Sequence, residues 1–317
     1  MKVHSLSIDS SQRDSNVYLY QNNYAITLKN PIYDVTELKL VSARIPTPQL
    51  ITTATNKTFS VDGVEITLDE TNYATGSELA SDLDLKLESS SNVDTVTFDS
   101  DTNSLIFSNT TTGDNNFTFE FYSGTNGYTE ESSAVTTPHQ VLGFDSRDHT
   151  SVSKVLRSGA INISGPNSLI LRVTAGSDEF TQSVYTSTPF YTGHILLDGT
   201  DIINVSGGDD PVTHHFHSGP HKYIKELKIE FFYMSHGRLI PYDFRNQDHI
   251  LKFEITCSTD KLESLSKLPT KIEEQKPVEK IKNPATEILY NQDVYIYIGI
   301  IVFIGIVLML LMKRKPT

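Results

Sequence analysis

The chain has 317 residues, 21% of them charged and 38% hydrophobic, with 17 Gly, 13 Pro and no Trp, a globular composition that excludes a disordered or collagenous chain. Its one cysteine, Cys257, excludes an intrachain disulfide framework and a cysteine-rich zinc module. The net charge of −13 is uneven: residues 1–260 hold 17 basic and 33 acidic groups, a body that repels phosphate backbones and argues against direct nucleic-acid binding.

A polar opening, SLSIDSSQRDS, leads into two β runs, Tyr24–Leu28 and Glu37–Ala43. Short or alternating apolar runs follow at Thr58–Val61, Val64–Leu68, Thr95–Phe98, Ser104–Phe107 and Phe117–Tyr122. Later ones lie at Ala160–Ile163, Ser168–Val173, Tyr223–Tyr233 and His249–Thr256. Turn chemistry separates them at Asp62-Gly63, Gly113-Asp114-Asn115, Gly124-Thr125-Asn126-Gly127 and His236-Gly237. One stretch has the helical period instead. Leu79, Leu83 and Leu87 share a face over Ser77–Leu87, with Thr75 or Ser77 as cap, and predict a short helix decorating a sheet edge. The fold class is therefore all-β: an antiparallel β-sandwich or jelly-roll body over 1–260, one large or two packed, with a subdivision near 130–140. Pro46 and Pro48 end a strand, and Phe244 plugs the core.

After Thr259 the character changes. Residues 261–293 are rich in Lys, Glu and Pro and sum to zero charge, which predicts a semi-extended stalk of at most about 110 Å. Residues 294–312, VYIYIGIIVFIGIVLMLLM, contain no charge. As a helix they reach about 28 Å, close to the ~30 Å of a bilayer's hydrocarbon core. Val294 and Met312 bound this span, Tyr295 and Tyr297 sit at its entry, and Lys313, Arg314 and Lys315 begin the basic tail 313–317. They predict a single-pass C-terminal membrane anchor. The opening residues lack the apolar core of a signal peptide, so insertion after synthesis leaves the body in the cytosol, in keeping with the unpaired Cys257. The five sequons, at Asn56, Asn109, Asn116, Asn162 and Asn204, read as chance triplets in a Ser/Thr-rich chain.

Candidate chemistry is sparse. His214, His215, His217 and His221 are the one dense group of metal-capable side chains, with Asp209 and Asp210 nearby. In a strand His215 and His217 would share a face, but Gly and Pro frame the segment as a loop, where solvated histidines or a pH-responsive contact compete with a metal site. No nucleophile elbow, zinc-protease helix, phosphate loop or dinucleotide fingerprint occurs, and Cys257 reads as a packed thiol, so neither an enzyme nor a bound cofactor is expected.

Several blocks stand in a specific order: I-D-S-x-x-R-D at Ile8–Asp14, L-x-x-V-x-A-x-I-P at Leu38–Pro46 and a Tyr-then-helix unit at Tyr73–Leu87. Leu142–Phe144, Phe232–Phe244 and Asp248–Ile255 follow. In this order the blocks resemble the minor capsid proteins of nucleocytoplasmic large DNA viruses, in the phycodnavirus and mimivirus groups. The resemblance, over roughly residues 4–256, implies a sandwich or jelly-roll body beneath the major capsid shell. Its expected partners are the major capsid protein and other minor capsid proteins, and it implies no catalytic residues. With the anchor, the expected place is the virion, between capsid shell and internal membrane. The alternative is an outward-displayed adhesin, with Tyr185, Phe190 and Tyr191 stacking on carbohydrate or meeting a host receptor.

Overall fold

The two β runs expected at Tyr24–Leu28 and Glu37–Ala43 form one continuous 24-residue strand, Asn23–Pro46. Pro31 does not interrupt it, because a proline is tolerated where no neighbouring strand calls on its missing N–H. The structure, a computed structural model, describes residues 2–88, 92–110, 115–129, 134–175, 178–179, 192–207, 212–215 and 221–258. The stalk 261–293, the anchor 294–312 and the tail 313–317 lie outside them. Among the described residues no helix is long and apolar enough to cross a membrane.

The strands in chain order are β1 (Lys2–Asp9), β2 (Asn23–Pro46), β3 (Thr58–Val61), β4 (Val64–Thr67), β5 (Thr95–Asp99), β6 (Ser104–Ser108), β7 (Thr118–Glu120), β8 (His149–Thr150), β9 (Val155–Ala160), β10 (Ser168–Ala175), β11 (Asp178–Glu179), β12 (Gly193–Leu196), β13 (Ile202–Ser206), β14 (Val212–His215), β15 (His221–Ser235), β16 (Arg238–Pro241) and β17 (Ile250–Cys257). The helix α1 (Gly76–Glu88) lies between β4 and β5. Every pairing is antiparallel.

The main sheet runs β1-β17-β2-β15-β10, with β11, β12, β13, β14 and β16 paired onto it. Its spine is β2. The first half of β2 pairs with β15 through Ile229↔Tyr24 and Tyr223↔Tyr33. Its second half pairs with β17, β13 and β14. Side chains from both groups, including Leu38, Leu251 and Phe253 from one and Leu171, Leu227 and Phe231 from the other, pack into a single buried cluster. A bulge at Val41 makes this possible. The register with β17 skips it, from Phe253↔Leu40 to Lys252↔Ser42, while on the other edge of β2 the Gly207 amide donates to the Val41 carbonyl at 2.9 Å. The extra residue flips the parity of the strand, so Leu38 and Leu40 before it and Ala43 and Ile45 after it are all buried.

A second core lies between β2 and β10 in sequence, drawn from Ile51 to Ile161. Two small sheets, β4-β3-β7-β8 and β5-β6-β9, and the helix α1 supply it. Six phenylalanines, Phe59, Phe107, Phe117, Phe119, Phe121 and Phe144, form a continuous ring cluster, with Phe107 and Phe119 edge-on at 4.7 Å. The helix is more than decoration. Leu79, Leu83 and Leu87 are fully buried in this core. Thr75 caps it by accepting from the Glu78 amide, while the Glu78 carboxylate reaches back past the cap to accept from the Ala74 amide. The stretch near 130–140 contributes Thr136–Val141 to the same lobe, with Val141 in the core.

Two further expectations differ in detail. The polar opening is β1, an edge strand that buries only Ile8 and so shows little hydrophobic alternation. The run at Ala160–Ile163 is not a strand. Instead β9 ends at Ala160 and Ile161 turns into the second core. The two-residue turns hold: Asp62-Gly63 and His236-Gly237 all have positive φ, joining β3 to β4 and β15 to β16.

Candidate docking face

The I-D-S-x-x-R-D block builds a pinned loop at one end of the main sheet. β1 runs beside β17, bringing Asp9 opposite Ile250. Asp9 accepts from the Ser11 amide at 2.9 Å and so starts the 3-10 turn Ser10–Gln12. Bonds from the Ser11 hydroxyl and amide hold the Asp9 carboxyl below its usual range. The Ser10 hydroxyl donates to Asp248 at 2.7 Å and accepts from the His249 amide at 3.0 Å. The Ser10 amide in turn donates to the His249 carbonyl at 3.0 Å. Two blocks 238 residues apart are thereby one unit.

Arg13 is the staple. Its Nη1 donates to the Ser10 carbonyl at 3.0 Å and to Asp248 at 3.2 Å. Its Nε and Nη2 reach the carbonyls of Tyr18 and Leu19 at 3.1 and 3.4 Å. The side chain is 11% exposed, and a guanidinium satisfied on all sides fixes the chain path around it. The fixed loop holds three large apolar side chains in solvent: Val17, Leu19 and Tyr20 are 65%, 68% and 65% exposed. Apolar groups held out on a rigid loop can be buried against another surface without an entropy cost of loop ordering.

Beneath the loop, His249 is buried among Tyr24, Phe231 and Phe244. Its Nε2 shares a 2.9 Å hydrogen bond with the Tyr24 hydroxyl, and its Nδ1 has no partner. Burial pushes its pKa down to about 4, so the ring is neutral. The Phe232–Phe244 block completes this corner. Asn22 donates to the Tyr242 carbonyl at 2.7 Å, and Phe244 packs edge-on against Phe231.

The Leu142–Phe144 block belongs to the second core. Gly143 has φ +78, and a Cβ there would meet the Gly159 carbonyl oxygen at 2.6 Å, so the position requires glycine. The lobes are joined by a polar latch at the β15–β16 hairpin. Arg238 donates to the carbonyls of Gly127 and Val135 at 3.0 and 3.1 Å and lies 4.3 Å over the Tyr128 ring. The Tyr128 and Thr136 hydroxyls both meet Ser235, at 2.7 and 2.9 Å. An uncharged cleft of about 500 Å³ opens beside the latch, lined by residues such as Gln49, Gln140, Asn162 and Tyr233.

The expected metal residues fall differently. His214 and His215 end the strand β14, paired with Leu38 and Glu37, rather than lying in a loop. His221 opens β15 opposite Val35. His217 lies outside the described residues, as do Asp209, Asp210, Tyr185, Phe190, Tyr191 and the anchor residues Val294, Tyr295, Tyr297, Met312, Lys313, Arg314 and Lys315. Among the described residues no three His, Cys, Asp or Glu side chains stand close enough to hold a metal ion. Cys257 is buried, and burial raises its thiol pKa. Sequons Asn56 and Asn109 are buried with bonded amides, donating to the carbonyls of Ile51 and Asn115.

The described chain is thus an antiparallel β body with two cores. The sequence matches no protein-family model and no curated protein. Two solved structures are similar in chain course. One is the mavirus penton protein, with TM-score 0.37 and 10% identity over 81% of this chain and 100% of that one. The other is a chain of the Sputnik virophage structure solved by cryo-EM, with TM-score 0.32 and 10% identity over 81% and 98%.

Proposed function

We propose that this chain is a structural, membrane-anchored minor capsid protein of a large DNA virus, acting by binding rather than by catalysis. The β body meets the major capsid protein and other minor capsid proteins. Residues 261–293 span the gap, and 294–312 hold the internal membrane. The observation that carries the reading is the convergence of Ile8–Asp14 and Asp248–Ile255, two of the blocks behind the family resemblance, through Ser10, Arg13 and Asp248. That convergence makes a rigid apolar display, an arrangement suited to an assembly protein.

Protease treatment of purified particles tests it. A body beneath the shell stays intact until the shell is opened, and is then cut. An outward adhesin is lost from intact particles at once, and that result overturns the interior placement.

A further inference from the structure

A groove of about 540 Å³ lies between β1, the pinned loop and the first half of β2. Among the described residues, both of its walls are open strand edges. β1 pairs with β17 on one side only. Residues 23–33 of β2 pair with β15 alone, since β17, β13 and β14 join β2 from residue 35 onward. The floor is apolar: Leu6, Tyr18, Ile26 and Leu28 are half-buried against the main core, and exposed Val17 stands at the loop end. The rim is acidic, with Asp9, Asp14 and Glu226 against the single cation Lys29.

We infer that this groove takes one extended segment of a partner protein, added as a β-strand to the open edge of β1. Its alternate side chains are apolar, facing Leu6, Ile26 and Leu28, and its outward side chains are Lys or Arg, facing Asp14 and Glu226. Three features select that occupant together. Along the eight residues of β1, alternate backbone N–H and C=O groups face away from β17 with no strand beside them among the described residues, and they ask for a strand. The apolar floor asks for a period of two. Three carboxylates against one ammonium ask for a basic segment rather than an acidic one. Lys29 and Pro31 at the far end of the open β2 edge limit pairing with indiscriminate strands. The inference deepens the capsid reading by naming the surface and chemistry of the partner contact, and rests on that reading only for who the partner is.

The test uses the full chain in detergent micelles and a fluorescent decapeptide, Val-Lys-Val-Thr-Val-Lys-Val-Thr-Val-Lys, beside a counterpart with Glu at each Lys. Anisotropy should show the Lys peptide binding and the Glu peptide binding at least ten-fold more weakly. The double substitution Asp14→Lys/Glu226→Lys, both on exposed side chains, should reverse that preference. Hydrogen exchange on the unsubstituted chain should slow at the β1 amides when the Lys peptide is bound. Equal binding of both peptides, an unchanged preference in the double variant, or protection at the cleft beside Arg238 instead of β1 overturns the inference. The capsid reading fails separately, through loss of the body from intact particles, whatever the peptide does.

Discussion

His249 carries a proton-linked liability because its surroundings are tuned for the neutral ring. Its neighbours Tyr24, Phe231 and Phe244 are apolar around the imidazole, its Nδ1 is unpartnered, and the charged groups nearest it are Asp9, Asp248 and Arg13. Burial lowers its pKa from 6.5 to about 4. His139, packed on Phe121 and Tyr128 and bonded to Thr137, is lowered to about 4 for the same first reason. Both pKa values are depressed on folding, so between about 6.5 and 4 the unfolded chain binds more protons than the folded one. Stability is complete above the unfolded value and falls as pH drops through this window, by on the order of 3 kcal/mol for each ring. Urea midpoints measured from pH 7.5 to pH 4.5 should show the fall. Tyr24→Phe/His249→Leu removes the titrating ring together with the hydroxyl it serves, and should cut the slope by about half, leaving the His139 share. A slope untouched by the double change would place the proton uptake elsewhere.

The helix α1 shows how far an element can be read from sequence before its packing is known. Leu79, Leu83 and Leu87 announce its face and Thr75 with Glu78 its start, and the Asp62-Gly63 and His236-Gly237 hairpins are equally local signals. What the spacing did not reveal is that this face closes a core of its own, because the phenylalanines it meets come from strands and loops as far along the chain as Phe144. The same limit explains β1. Paired on one side and burying only Ile8, it carries no alternation to read, and its role appears only once β17 is beside it. Arg13 was visible as a motif letter, but its four acceptors come from residues 10, 18, 19 and 248, a set that no spacing rule collects. The core role of α1 is measurable. Leu83→Ala, at a fully buried site, should cost about 2–5 kcal/mol in chemical denaturation. Leu85→Ala, on a side chain 71% exposed, should cost about 0.5 kcal/mol or less. Equal losses at the two positions would mean that the helix does not seat on the phenylalanine cluster.

At the scale of the whole chain, charge and apolarity are segregated: a body of 17 basic and 33 acidic groups, a charge-balanced stretch 261–293, and an uncharged run ending in Lys313-Arg314-Lys315. The proposed function assigns to this division two kinds of adhesion, only one of which weakens with salt. On the proposed reading, burial of the nineteen residues 294–312 in hydrocarbon would be hydrophobic and insensitive to ionic strength. Contacts of the acidic body with basic partner surfaces would instead be screened over a Debye length of about 8 Å at physiological salt and less at higher salt. Vesicle flotation resolves the two. The full chain should float with uncharged phosphatidylcholine vesicles equally at 0.1 and 0.5 M salt. A chain truncated after residue 260 should stay at the bottom with these vesicles, and with anionic ones as well, because a net acidic body is repelled by a negative surface. Truncated protein that still floats would show that the body itself binds lipid, and the assignment of membrane attachment to 294–312 would have to be given up.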